Sequence, residues 1–166
     1  MLVSIIMGST SDLPVMEKAA KFLDEMEIPF EMNALSAHRT PKAVADFALQ
    51  AESRGVQVII AGAGMAAALP GVIAANTTLP VIGVPVKGML DGLDALLSIV
   101  QMPPGVPVAT VGVNASLNAA ILAAGMLALS DESLASRLKA YKEGLKQKIV
   151  KANAELAEVK YRFRVN

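Results

Sequence analysis

Five short apolar runs with few polar breaks recur along the chain: LVSIIM (residues 2–7), PFEMNAL (29–35), VQVIIA (56–61), PVIGVP (80–85) and VPVATVGV (106–113). Runs of this length, rich in β-branched residues, read as strands. Their near-continuous hydrophobicity is that of strands covered on both faces, as in a parallel sheet between two helical layers. Between them, Pro14–Glu27, Pro41–Arg54, Leu69–Thr77, Leu90–Gln101 and Leu117–Leu129 carry helical spacing. Pro14, Pro41 and Pro70 fall where a first helical turn would begin, the position that proline tolerates best. Alternating strand and helix in this way predicts an α/β fold: a three-layer, doubly wound parallel sheet of flavodoxin-like or Rossmann-like type.

The helical run LNAAILAAGMLAL (117–129) is apolar nearly all round, which predicts burial on every side. Ser130-Asp131-Glu132 then forms a capping pattern. The tail to Asn166 is charged and helical, with nine basic and five acidic residues, a solvated helix face in the first instance. We expect residues 1–130 to form the α/β unit and 131–166 a C-terminal helical extension of the same domain.

Charge sharpens this picture. Between Gly55 and Ser130 the only charged side chains are Lys87, Asp91 and Asp94. A chain of 166 residues leaves much of its surface wet, so an uncharged stretch of that length predicts cover from another copy, hence a homo-oligomer. The formal net charge of zero provides no global field for nucleic acid. Hydrophobic residues make up 54%, yet Gly, Pro, Asn or Thr break every apolar run before the roughly 18 residues of a membrane span. The opening MLVSIIMGSTSD is too short for a signal peptide and lacks its basic start, so the expected location is cytoplasmic. With no cysteine, disulfides, thiolate catalysis and cysteine metal sites are excluded.

In an open parallel sheet ligands bind at the carboxyl ends of the strands, and three loops at that edge could carry chemistry. MGSTSD (7–12) enters a helix with small residues, suited to backbone contact with an anion. Asp12 would repel a phosphate there; it fits sugar hydroxyls, or caps the helix. SAHRTP (36–41) holds the only histidine of the chain, His38. Arg39 beside it offers a fork of donors for phosphate or carboxylate, and an imidazole exchanges protons near neutral pH. One histidine and no cysteine cannot furnish a zinc site. In AGAGMAAALPG (61–71), Gly62, Gly64 and Ala67 satisfy the dinucleotide pattern G-x-G-x-x-A. No acidic residue follows at the ribose-binding distance; Lys87 stands there instead, a cation that could meet a 2′-phosphate. Pro70 falls where that pattern's helix should be running, which favours a close-approach loop over a small ligand.

Taken together, GSTSD, LSAHRTP, VIIAGAGMAAALPG, LPVIGVPV and SIVQMP resemble, in order and spacing, the N5-carboxyaminoimidazole ribonucleotide mutase family of purine biosynthesis, over about residues 3–130. The resemblance implies a flavodoxin-like subunit, assembly as a homo-octamer with sites where subunits meet, and no metal, nucleotide or organic cofactor. It implies conversion of N5-carboxyaminoimidazole ribonucleotide to 4-carboxy-5-aminoimidazole ribonucleotide, through loss and recapture of carbon dioxide. By the same resemblance His38 is the acid/base. Ser9, Ser11, Asp12, Ser36 and Arg39 bind the nucleotide, and the backbone around Ala63, Gly64, Ala67 and Leu69 lines the pocket for the heterocycle and carboxylate. Ala68 replaces a second histidine common in the family. Relatives that carboxylate aminoimidazole ribonucleotide directly tend to carry Lys after the catalytic histidine; Arg39 fits the mutases.

Overall fold

A computed structural model describes residues 2–165. Its five strands are β1 (Leu2–Met7), β2 (Phe30–Ala34), β3 (Val56–Gly64), β4 (Val81–Val86) and β5 (Ala109–Thr110). All pair in parallel, in the order β2-β1-β3-β4-β5. The helices are α1 (Leu13–Glu25), α2 (Pro41–Gln50), α3 (Leu69–Ala74), α4 (Leu93–Val100), α5 (Ser116–Leu127) and α6 (Glu132–Ala157). This is the flavodoxin-like order, one of the two types that the alternating pattern admits.

Two cores explain why the central strands are apolar on both sides. On one face, Val3, Ile5, Val58, Ile60, Ile82 and Val84 pack against α1, α5 and the start of α6. On the other, Ile6, Ile59, Ala61 and Val81 pack against α2, α3 and α4. Neighbouring positions on one strand thus enter opposite cores, as the two-residue strand repeat requires. Strand β2 departs from the expected two-sided burial. It lies at the sheet edge, with Met32 and Ala34 exposed.

Several boundaries also differ from the pattern. The fifth run pairs only at Ala109 and Thr110, opposite Ile82 and Gly83; proline at 107 has no N–H to extend the ladder. Helix α2 stops at Gln50, and a 3-10 turn, Glu52–Arg54, leads to Gly55 at φ 84°, which a β-carbon would disfavour. Strand β3 runs on to Gly64, so Gly62 and Gly64 are strand residues rather than the turn of a dinucleotide motif. Their small size is used in packing. A β-carbon on Gly62 would stand 2.5 Å from Met16 Sδ, and one on Gly64 would stand 3.1 Å from Val86 O.

Helix α5 buries one face through Ala119, Ala120, Ala123 and Ala124, while Leu117 and Leu122 stay partly exposed in the single chain. Asp131 caps α6 by accepting from Leu134 N at 2.9 Å. The first turns of α6 are tied to the body: Leu134 is buried, Arg137 Nε donates to Met26 O at 3.1 Å, and Tyr141 meets Phe22 edge-on. Beyond Lys142 the helix is exposed throughout.

Candidate active site

Strand order reverses between β1 and β3, because β1 connects outward to β2 while β3 connects to β4 on the other side. At such a switch point the loops beyond the strand ends part and leave a crevice. Here the three loops singled out in the sequence converge around one cavity of about 380 Å³. The loop after β1 brings Ser9, Ser11 and Asp12. The loop after β2 brings Ser36, His38 and Arg39. The end of β3 and the start of α3 bring Ala63, Gly64, Ala67 and Leu69.

The first loop is held by its own polar groups. Ser9 Oγ accepts from Ser11 N at 3.3 Å and caps a 3-10 turn, Thr10–Asp12, that feeds α1. Asp12 stands at the N-cap position of α1 but makes no side-chain cap bond to it, so the capping alternative does not describe its carboxylate. Partial burial pushes the Asp12 carboxyl above its ordinary value of 3.8; hydrogen bonds from the Ser11 hydroxyl and the Ser9 and Gly8 backbone oppose that shift.

A group whose folded pKa is raised favours the fold while protonated, and that contribution is lost as pH rises through the folded value. Asp12→Asn removes the ionisation. Its stability relative to wild type should therefore be greater at pH 7 than below the ordinary carboxylate value. Urea midpoints of the two proteins at both pH values measure this, and a larger relative gain at low pH would contradict it.

The second loop is a closed turn. Thr40 N donates to Ser36 O at 2.8 Å and Thr40 Oγ1 to the same oxygen at 3.0 Å; Ser36 N donates to Thr40 Oγ1 at 3.0 Å, and Arg39 N to Ser36 Oγ at 3.2 Å. His38 sits inside this bonded turn, exposed on the cavity wall, with α2 starting at Pro41 behind it. Arg39 Nη2 donates to Gly8 O at 3.2 Å, which ties the second loop to the first. Among the described residues no carboxylate lies in ion-pair range of Arg39, so its cationic fork faces the cavity without an internal anion.

The third loop is strained. Met65 and Ala67 have φ of 55° and 37°, left-handed values that cost a residue with a β-carbon roughly 1–3 kcal/mol each. Ala67 N donating to Gly64 O at 3.0 Å closes the turn between them. Strain of this kind persists where the surrounding structure imposes it, and binding sites are a common place for it. The sequence did not single out Gly8, Ala37 or Met65 as site residues, although all three line the cavity, as does Ala68. Gly8 and Ala37 lie inside motifs already in view. Met65 also lies inside one of them, AGAGMAAALPG, but its place at the rim depends on a backbone angle. Lys87, considered for a 2′-phosphate, ion-pairs with Asp91 at 2.8 Å and does not line the cavity. Among the described residues no helix is long and apolar enough to cross a membrane, and no group of three His, Cys, Asp or Glu could hold a metal ion.

The chain that builds this site at the β1/β3 switch is similar over most of its length to named proteins. A mutase of Pyrococcus abyssi, N5-carboxyaminoimidazole ribonucleotide mutase, is 58% identical over 146 residues, covering 87% of this chain and 84% of its own. The enzyme of the same name from Thermotoga maritima is 53% identical over 165 residues, covering 99% of this chain and 96% of its own. The crystal structure of Treponema denticola PurE superposes with a TM-score of 0.84 at 32% identity, covering 93% of this chain and 98% of that one. The AIR carboxylase family model matches residues 2–148, through the three site loops and into α6, and this chain belongs to that family.

Proposed function

We infer that this chain is an isomerase that converts N5-carboxyaminoimidazole ribonucleotide to 4-carboxy-5-aminoimidazole ribonucleotide in purine biosynthesis. Its mutase relatives support the reaction over nearly the whole chain. The observation that carries the reading to the residues is the placement of His38, the one imidazole of the chain, on the cavity that also gathers Ser9, Asp12, Arg39 and the alanine wall.

Ser9, Ser11, Ser36 and Arg39 hold the phosphate end, where hydroxyls and a guanidinium suit a dianion. Asp12 accepts from ribose hydroxyls, which avoids bringing its charge against the phosphate. Ala63, Gly64, Ala67 and Leu69 line the heterocycle and the carboxylate carbon, in a small apolar space. In the first step the N5–carboxylate bond breaks; its electron pair returns to N5, which takes a proton from the His38 imidazolium, and carbon dioxide is released. In the second, the electron-rich C4 attacks that carbon dioxide and forms a new carbon–carbon bond. Neutral His38 then takes the C4 proton, which restores the aromatic ring and the imidazolium. Atoms and protons balance over the cycle, and catalysis rests on one acid/base and on confinement.

Direct carboxylation of aminoimidazole ribonucleotide would need the same cavity, so the substrate decides. The protein supplied with freshly made carbamate ribonucleotide should form the 4-carboxy product. Aminoimidazole ribonucleotide with millimolar bicarbonate should give little. Turnover confined to the second mixture would overturn the mutase assignment.

The enzyme acts in the cytoplasm, as a homo-octamer with its sites at subunit boundaries. Self-association is supported by surface. The single chain exposes 9627 Å², against about 7,800 Å² for a compact monomer of 17.3 kDa. That excess, on one chain, is about twice the roughly 800 Å² that each partner contributes to a standard protein–protein interface. Met89, Leu90, Leu93, Leu97 and Val100 form an exposed apolar stretch around α4, within the segment that carries so few charges.

A further inference from the structure

Among the residues lining the cavity, two carry long apolar side chains, Met65 and Leu69. Leu69 is 2% exposed and belongs to the core, whereas Met65 is 63% exposed at the rim. The remaining apolar wall is built of Ala37, Ala63, Ala67 and Ala68, whose methyl groups cannot reach across an opening. Among the described residues, Met65 is therefore the one long apolar side chain that lines the cavity and is exposed. It occupies its place with φ at 55°, a backbone angle that glycine would adopt freely and that a β-carbon resists. What the position gains over glycine is the side chain. Its Cγ would be 3.9 Å from a β-carbon on Gly88, so the methionine lies against the turn after β4.

Carbon dioxide is small and uncharged, and it offers weak hydrogen-bond acceptors. Arg39 and the serines cannot hold it as they hold a phosphate, so its retention depends on enclosure. A thioether chain has three rotatable bonds and adapts to irregular apolar space, which suits a group that must cover a cavity and then release a product. We propose that Met65 is the retention residue of this site, its side chain covering the carbon dioxide freed from the carbamate until C4 recaptures it. Met65 itself makes and breaks no bond. The inference rests on the isomerase reading above and adds to it the residue that determines whether the released carbon stays.

The test uses substrate carrying ¹³C in the carbamate carboxyl, with excess unlabelled bicarbonate and carbonic anhydrase to exchange any carbon dioxide that escapes. Wild type should keep most of the label in the 4-carboxy product. Met65→Gly removes the apolar chain at the rim and should raise the escaping fraction at least about threefold, because enclosure is what retains carbon dioxide. Its melting temperature should not fall, since glycine relieves the left-handed angle. Met65→Leu, which keeps apolar length, should retain label nearly as wild type does. Label retained equally by Met65→Gly would overturn the assignment, as would equal loss in Met65→Leu or a wild type that exchanges all its label. A wild type that makes no product from the carbamate would instead overturn the isomerase reading itself.

Discussion

His38→Asn should lower turnover of the carbamate ribonucleotide by at least about 10²-fold, the usual scale for loss of a general acid/base. Substrate binding should change far less. The turn that presents His38 is closed by bonds among Ser36, Arg39 and Thr40, none of which uses the imidazole. The side chain is exposed, so its replacement leaves no hole in the core. Asparagine keeps similar size and a hydrogen-bond donor but cannot accept and return a proton at neutral pH. No other imidazole or thiol exists in the chain to take over. The measurement is initial rate against substrate concentration, with binding of the product ribonucleotide followed separately by calorimetry. Unchanged turnover would remove His38 from the chemistry. Loss of binding equal to the loss of rate would make it a ligand-holding group. Turnover absent from wild type, with binding intact, would point to a non-catalytic nucleotide-binding module.

Arg39→Ala should act on the other term, raising KM by about 10- to 100-fold with a smaller change in kcat. Charge-assisted hydrogen bonds to a phosphate contribute about 1.5–3 kcal/mol, and 1.4 kcal/mol corresponds to a factor of ten. Arg39 already donates to Gly8 O at 3.2 Å, and a guanidinium has donors to spare beyond that bond. It thus joins two loops and still offers a cation to a ligand. Alanine removes both functions, while Arg39→Lys keeps the charge and loses the planar fork. The lysine variant should recover part of the affinity. A KM within twofold of wild type for Arg39→Ala would show that the phosphate lies elsewhere. The two substitutions should also separate in kind, because adjacent residues of one turn are assigned to proton transfer and to anchoring.

Much of this architecture could be read along the chain. The β1, β3 and β4 runs were apolar on both faces because both faces meet helices, and periodicity registers that directly. Pro14, Pro41 and Pro70 marked three helix starts, since proline's fixed φ suits a first turn. Pattern and structure part where long-range contacts override local preference. The last run looked like eight residues of strand, but a strand exists only where a partner offers its ladder, and β4 offers two positions. Gly62 fits a dinucleotide pattern, whereas its smallness accommodates Met16; Gly64 meets the β4 backbone and lines the cavity as well. Motif spacing cannot distinguish a glycine that approaches a ligand from one that approaches a neighbour. Helix α5 is apolar nearly all round, yet Leu117 and Leu122 remain partly exposed in the single chain, because sequence periodicity does not tell which faces the fold covers.

Legible along the chain were the kind and order of elements, the scarcity of charge over its middle and the identity of the one imidazole. These follow from residue type and from neighbours a few positions away, where steric and hydrogen-bonding preferences act. The tertiary structure alone decided that the strands would lie in the order β2-β1-β3-β4-β5, and so that residues as distant as Ser9, His38 and Ala67 would border one cavity. It alone showed Met65 left-handed at the rim and Asp12 released from capping duty. Such outcomes depend on pairing between segments tens of residues apart, a global balance of packing and backbone geometry that no local window contains.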